Sequence, residues 1–163
     1  MDMTFSDEPA DVLKLLAKQK LRLIIAESCT GGRIAAELVA VPGASEWFCG
    51  SAVTYREETK KAWLGVLADS LTRYSAVSEA VAQEMVCGVL AMTPEADLAV
   101  AVTGHLGPDA PVEQDGILFV AIARRGNDGC QITRHQLAAQ SRSERQREAA
   151  KRVLRLLIER LTT

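Results

Sequence analysis

The chain has 163 residues, of which 48% are hydrophobic and 25% are charged, and its formal net charge is −2. This length and composition predict one globular domain over residues 1–163, with residues 1–9 as a flexible N-terminal tail. The apolar runs are too short to cross a bilayer, and the acidic start lacks the order of a secretory signal, so we expect a cytoplasmic protein without membrane contacts.

The charges and cysteines argue against two kinds of site. Residues 141–163 carry seven Lys and Arg against three Glu, so the rest of the chain is acidic and a nucleic-acid partner is not predicted. The four cysteines stand apart without a CxxC pair, and the chain has only two histidines. We therefore predict no metal site and interpret the cysteines as mostly buried small hydrophobic residues.

The first half of the chain alternates helical and strand patterns. Apolar residues three and four apart mark the helices, and short β-branched-rich runs mark the strands. The expected order is a helix over 10–20, a strand over 21–27, a helix over 31–41 that stops at Pro42-Gly43, a strand over 49–55 and a helix over 56–66.

The second half continues this alternation. Ser78 is a good N-cap for a helix that ends at Pro94, and the nearly unbroken apolar run 98–104 predicts a strand covered on both faces. Two strands over 116–126 and 130–139 flank a turn, and a last amphipathic helix is expected to open with a Ser143–Gln146 capping box.

This order of elements predicts an α/β layered sandwich with a mainly parallel, mixed sheet flanked by helices. An antiparallel pair is expected near residues 117–139. Ligands in such folds lie beyond the carboxyl ends of parallel strands. Three stretches occupy these positions: 27–32, 54–60 and 103–109.

The stretch AESCTGG, at 26–32, follows the first predicted strand. Gly31 and Gly32 allow a sharp turn, and the N–H groups of the next helix can hold an anion. The pattern matches neither phosphate-loop nor dinucleotide fingerprints, nor the nucleophile elbow of α/β hydrolases. From the residues alone, Ser28 or Thr30 as a simple helix cap is the favoured interpretation, and a reactive serine is the alternative.

The stretch TYREETK places Tyr55 five residues before Lys60. A lysine activates a serine only as the neutral amine, which burial or a nearby cation favours. From the pattern alone, a solvated helix lysine is the favoured interpretation, and Lys61 is a direct rival.

Two further stretches contain candidate residues. The stretch VTGHLGPDAP, at 102–111, has glycines that let the backbone approach a ligand, and His105 lies within it. A loop histidine without a located partner is more often solvated, and His135 has still less support. The arginines of the run 140–152 can bind a phosphate or carboxylate, but such a run is more often the solvated face of an amphipathic helix. Arg142, ahead of the last helix, is the one freest to reach a site.

Taken together and in this order, AESCTGG, GSAVTYREETKKAWLGV, AVSEAVAQEM and AVTGHLGPDA resemble the CinA C-terminal domain family, whose stand-alone members are nicotinamide-nucleotide amidases. The resemblance runs from about Val12 to the last helix. It implies an α/β fold and hydrolysis of nicotinamide mononucleotide to nicotinate mononucleotide and ammonia. It also implies no metal or other cofactor, and a homo-oligomer.

The resemblance also assigns roles to individual residues. It implies Ser28 as nucleophile, Lys60 as general base and Tyr55 as a supporting site residue. The implied substrate-binding residues are Glu27, Thr30, Gly31, Gly32, Thr103, Gly104, Gly107 and Arg142.

One segment departs from the family pattern. His105, Leu106, Asp109 and Ala110 stand where the family usually has Ile-Ala and a glycine pair. Larger side chains and an added carboxylate are expected to narrow the cleft and repel a phosphate, which predicts an altered substrate preference. The alternative function is a catalytically weak or inactive paralogue that binds a nucleotide-like ligand or a protein partner.

Overall fold

The computed structural model describes residues 7–163, which form one five-stranded sheet covered by helices on both faces. The strands are β1 (Leu23–Glu27), β2 (Phe48–Val53), β3 (Leu98–Gly104), β4 (Ile117–Arg124) and β5 (Gln131–Gln136). The helices are α1 (Glu8–Gln19), α2 (Arg33–Val39), α3 (Glu57–Leu64), α4 (Ala68–Tyr74), α5 (Glu79–Met92) and α6 (Arg142–Thr162).

The sheet has the order β2-β1-β3-β4-β5. The strands β2, β1 and β3 are parallel to one another, whereas β4 runs antiparallel to β3 and to β5. The predicted α/β layered fold with a mixed sheet is therefore confirmed, including the antiparallel pair. Because β1 is central and parallel to both neighbours, the carboxyl ends of three strands meet at one edge.

Alternate residues of the strands contribute to two separate cores. Leu23 and Ile25 of β1 point to the face covered by α1, α2 and α6, whereas Ile24 and Ala26 point to the face covered by α3, α4 and α5. The second face is lined largely by small side chains: Ala26, Ala99, Ala101, Ala121 and Ala123. Alanines at these positions let α5 lie close to the sheet.

A close helix contact on this second face fixes the position of α3. A Cβ added to Gly88 of α5 would lie 1.9 Å from the carbonyl oxygen of Leu64, at the end of α3. Glycine is thus required there, because a larger residue would push α3 away. This contact matters for function, since α3 carries Lys60.

The structure corrects the sequence prediction at the first helix, at the last helix and at α4. The first helix begins at Glu8, so residues 8 and 9 of the predicted tail are helical, and residues 1–6 lie outside the described residues. The last helix begins at Arg142, because the Ser141 hydroxyl accepts from the Glu144 N–H, so the predicted Ser143–Gln146 capping box is wrong. The helix α4 was not predicted.

The Ser78 cap is confirmed, since its hydroxyl accepts from the Val81 N–H. Among residues 7–163, no helix is long and apolar enough to span a bilayer. The same described range contains no cluster of three His, Cys, Asp or Glu side chains that could hold a metal ion.

Candidate active site

A cleft of about 330 Å³ opens where the carboxyl ends of the parallel strands meet. This is the edge at which α/β folds bind ligands. Seven of the eleven site residues that the resemblance implied line the cleft: Ser28, Tyr55, Lys60, Thr103, Gly104, Gly107 and Arg142. Four others do not line it: Glu27, Thr30, Gly31 and Gly32.

Ser28 and Lys60 form a direct side-chain pair in the cleft. The Nζ atom of Lys60 lies 2.7 Å from the Ser28 hydroxyl oxygen and donates to the carbonyl oxygen of Thr54 at 2.8 Å. Lys60 is only 2% exposed and Ser28 7% exposed. The amine is therefore held in one place by the end of β2, within proton-transfer distance of a hydroxyl.

Burial lowers the pKa of Lys60 below its ordinary value, and smaller opposing contributions come from Cys29 and Glu57. A buried ammonium loses its hydration, so the neutral amine is favoured. Lys61 is different, because it pairs with Glu58 at 2.8 Å on the helix surface. The geometry thus separates the two adjacent lysines, which the motif alone could not.

The thiol of Cys29, next to Ser28, also faces the cleft, but burial raises its pKa to about 12. It stays a thiol, which is a poor nucleophile, at physiological pH. The other cysteines differ from the sequence interpretation, since Cys49 and Cys130 are partly exposed and Cys87 is exposed. Only Cys29 fits the expected buried role.

The turn that carries Ser28 is built around two glycines with positive φ, +59° at Gly31 and +95° at Gly32. Gly32 is the N-cap residue of α2, and because it has no side chain, the cap residue itself makes no side-chain hydrogen bond to the helix. The simple interpretation of Ser28 or Thr30 as the helix cap is therefore wrong. Thr30 instead donates its hydroxyl to the carboxylate of Glu27 at 2.7 Å, and Ser28 remains available to Lys60.

Arg142 joins two walls of the cleft at its rim. Its guanidinium donates to the Tyr55 hydroxyl at 2.7 Å and to the carbonyl oxygen of Gly107 at 2.6 Å. Tyr55 is 59% exposed, so this bond lies at the entrance rather than in the core. The arrangement holds the 104–111 segment against the residues that follow β2.

Glycine at position 104 is required by close packing beneath the cleft. An added Cβ would lie 2.9 Å from the carbonyl oxygen of Ile117 and 3.3 Å from the Cys29 sulfur. The end of β3 therefore sits directly against the turn that carries Ser28. A side chain here would displace one of these walls.

A second arginine, Arg145, braces the segment that follows β3. Its guanidinium binds both carboxylate oxygens of Asp115, at 2.7 and 3.0 Å, and donates to the carbonyl oxygens of Ala139 and Leu106. Hydrogen bonding from Arg145 lowers the pKa of the Asp115 carboxyl. This pair was not predicted from the sequence. The usable signal was the position of Arg145, which lies one helical turn after Arg142 on the same face of α6.

Replacing Arg145 with methionine is expected to lower the free energy of unfolding by about 1–3 kcal/mol, because buried carbonyl oxygens lose their donor. The loosened cleft wall should also raise KM more than it lowers kcat. Denaturant unfolding and steady-state kinetics measure the two effects. Arg147→Met, at an exposed position of the same helix, is the matched control. Equal behaviour of the two variants would contradict the bracing role.

Part of the cleft wall comes from residues outside the catalytic and substrate-binding set that the family resemblance implied. Ala76 and Val77 line the cleft after the unpredicted helix α4, and the Thr103 hydroxyl donates to the carbonyl oxygen of Ala76 at 2.8 Å. His105 and Asp109 also line the cleft. The residues that depart from the family pattern therefore face the space where a ligand would bind.

His135 lies away from this cleft. It is part of β5, where its Nε2 atom is 2.8 Å from the Thr133 hydroxyl oxygen. Little in the sequence supported His135 as a site residue, and its position at the far edge of the sheet agrees with that.

The fold and the cleft together define a class: an α/β protein with a serine and a buried lysine paired at the ligand-binding edge of a mixed sheet. Comparison with known proteins narrows this class. Residues 6–161 match the CinA C-terminal domain. The chain therefore belongs to the CinA C-terminal domain family.

Curated relatives and solved structures agree with this assignment. A CinA-like protein of Thermotoga neapolitana is 46% identical over 111 residues, which cover 67% of this chain and 27% of that protein. A CinA-like protein of Myxococcus xanthus is 43% identical over 119 residues, covering 72% of this chain and 28% of the relative. The chain thus spans less than a third of the length of these relatives.

The similarity to solved structures extends over nearly whole chains. A CinA superfamily protein from Klebsiella pneumoniae superposes with a TM-score of 0.89 at 32% identity and 96% coverage of both chains. A competence/damage inducible protein from Agrobacterium tumefaciens superposes with a TM-score of 0.87 at 30% identity and covers 100% of both chains.

Proposed function

We propose that this protein is an amidase that hydrolyses the carboxamide of nicotinamide mononucleotide to nicotinate mononucleotide and ammonia. The observation that carries the proposal is the 2.7 Å contact between the Ser28 hydroxyl and the Nζ atom of Lys60, a buried lysine with a lowered pKa. Membership of the CinA C-terminal domain family supports the substrate class.

In the first half-reaction, the neutral amine of Lys60 takes the hydroxyl proton of Ser28 while the serine oxygen bonds to the amide carbon. The carbonyl oxygen becomes an oxyanion. Backbone N–H groups of the turn next to Ser28 are the proposed oxyanion donors, and those of Gly31 and Arg33 are excluded because they already donate to the carbonyl oxygens of Ser28 and Thr30.

Collapse of this intermediate breaks the carbon–nitrogen bond. The Lys60 ammonium returns the proton to the leaving nitrogen, which departs as ammonia and leaves the pyridine nucleotide, with its ribose phosphate, bound to Ser28 as an acyl ester. In the second half-reaction, Lys60 takes a proton from water, the resulting hydroxide attacks the ester, and the proton passes back to Ser28. The rim pair of Tyr55 and Arg142 is positioned to contact the nucleotide part of the substrate.

The direct test is to incubate the purified protein with nicotinamide mononucleotide and to measure both ammonia and nicotinate mononucleotide. Equal amounts of the two products are expected. If neither forms while the nucleotide raises the melting temperature, the function is ligand binding by a catalytically inactive paralogue. Asp109 in the cleft lining is the observation that favours this second candidate.

The pH dependence of the reaction follows from the lowered pKa of Lys60. The base must be unprotonated, so kcat/KM is expected to rise with pH by about tenfold per unit and then to level off. The plateau should begin below the ordinary lysine pKa of about 10.4. A profile measured from pH 5 to 10 checks this, and a rate that does not increase over that range would contradict Lys60 as the base.

A further inference from the structure

Glu27, the residue before Ser28, is a completely buried carboxylate. It accepts four hydrogen bonds, from the hydroxyls of Thr30 at 2.7 Å and Ser51 at 2.8 Å, and from the N–H groups of Ile34 at 3.0 Å and Ala35 at 3.2 Å. No ion pair within residues 7–163 includes it. These four donors are therefore what stabilises its buried charge.

The donors belong to three different segments of the chain. Thr30 lies in the turn, Ile34 and Ala35 in the first turn of α2, and Ser51 on the neighbouring strand β2. Because the Gly32 cap of α2 has no side chain, Glu27 satisfies N–H groups that a serine or threonine cap usually satisfies. As a result, the Ser28 hydroxyl is not used by the helix.

The bond to Ser51 also links the two halves of the Ser28–Lys60 pair. Three residues after Ser51, the carbonyl oxygen of Thr54 accepts from the Nζ atom of Lys60. The Thr54 N–H in turn donates to the carbonyl oxygen of Glu27 at 2.8 Å. These hydrogen bonds between the ends of β1 and β2 therefore set the distance between the Ser28 oxygen and the Lys60 amine.

We propose that Glu27 is a positioning residue, which holds the turn so that the Ser28 oxygen stays within reach of Lys60. This inference rests on the proposed function, and it replaces the substrate-binding role that the sequence resemblance implied for Glu27. A carboxylate enclosed by its own protein donors has no surface facing the cleft. Its effect on catalysis passes through Ser28.

The test compares Glu27→Gln with Glu46→Gln, at an exposed position. Glutamine keeps the size of the side chain but replaces one accepting oxygen with an NH₂ group. We expect kcat of Glu27→Gln to fall about 100-fold, because a displacement of about 1 Å of a reacting group lowers the rate by that factor, and KM to stay within about twofold of wild type. Labelling of Ser28 by a fluorophosphonate probe should slow in parallel, and Glu46→Gln should match wild type in both assays.

A second variant, Ser51→Ala, removes a single donor and is expected to fold, with a roughly tenfold loss of kcat and of labelling rate. If Glu27→Gln does not show a wild-type melting transition, the Ser51→Ala variant tests the positioning role in its place. Unchanged kcat and labelling in folded variants would overturn the proposal. So would a raised KM with unchanged kcat, because that result would make Glu27 a substrate-binding residue.

The labelling assay separates this inference from the proposed function. If wild type takes the probe at Ser28 but releases no ammonia from nicotinamide mononucleotide, the proposed substrate is wrong and the effect of Glu27 on labelling still decides its role. If wild type neither reacts with the probe nor releases ammonia, Ser28 is not a nucleophile. The positioning role of Glu27 then fails with it.

Discussion

Replacing Ser28 with alanine is expected to lower kcat for ammonia release from nicotinamide mononucleotide by about 10³-fold or more. Its hydroxyl is the proposed nucleophile and lies 2.7 Å from the Lys60 amine, the proposed base. The neighbouring Cys29 cannot substitute at neutral pH, since its pKa of about 12 keeps the thiol protonated. The oxyanion donors remain in the variant, so a small residual rate is expected.

The design of this experiment depends on keeping the fold intact. Ser28 is anchored through its backbone, because its N–H donates to the carbonyl oxygen of Val102 at 3.1 Å, and alanine preserves that bond. The melting temperature should therefore stay near that of wild type. Ser45→Ala, at an exposed position, is the matched control and should retain full activity. Ammonia release by the Ser28 variant at the wild-type rate would contradict the assignment of Ser28 as the nucleophile.

The layout of the sheet was predictable because each central strand is covered on both faces. The run 98–104 is almost entirely apolar, and it forms β3 with the predicted bounds. The helix α4 was not predictable in the same way. Its sequence, ADSLTRY, buries only Ser70 and Leu71, so it has too few apolar residues for a helical period.

The candidate site was predictable in position but not in its contacts. Strand ends indicated where Ser28, Lys60 and Gly104 would meet, since the carboxyl ends of parallel strands share an edge. The choice of Lys60 over Lys61 came from a family resemblance. Helical spacing alone does not separate the two, because Lys60 lies four and Lys61 three residues before the buried Leu64, and both spacings fall on one face of α3.

The role of Glu27 could not be predicted from local sequence. Its partners Ser51 and Ala35 lie 24 and 8 residues away, and only the packing of β2 and α2 on β1 brings them to one carboxylate. The same holds for Arg145 and Asp115, which are 30 residues apart. Short motifs contain the reacting groups, whereas the residues that hold those groups in place are distributed over the fold.

Lys60→Met is the second variant for which a large loss is expected, about 10²–10⁴-fold in kcat/KM, the usual contribution of a general base. Methionine fills a similar buried volume without a proton acceptor. The adjacent Lys61→Met is the matched control, because Lys61 pairs with Glu58 on the surface and a surface pair contributes little to stability. The control should keep wild-type activity. Equal losses in both variants would contradict the assignment of the base.

The stability of the Lys60 variant provides an independent test of the same amine. Burial lowers the pKa of Lys60 in the folded protein, so the unfolded chain binds its proton more readily. The buried amine therefore lowers the free energy of unfolding of the wild-type protein most at low pH, where it must be protonated. This destabilisation decreases as pH rises toward the ordinary lysine pKa. Lys60→Met has no such destabilisation. Its melting temperature relative to wild type should thus be most favourable at low pH and should decline as pH increases toward 10. A difference independent of pH would mean that Lys60 keeps its ordinary pKa in the fold, and an ammonium of that kind could not accept the proton of Ser28.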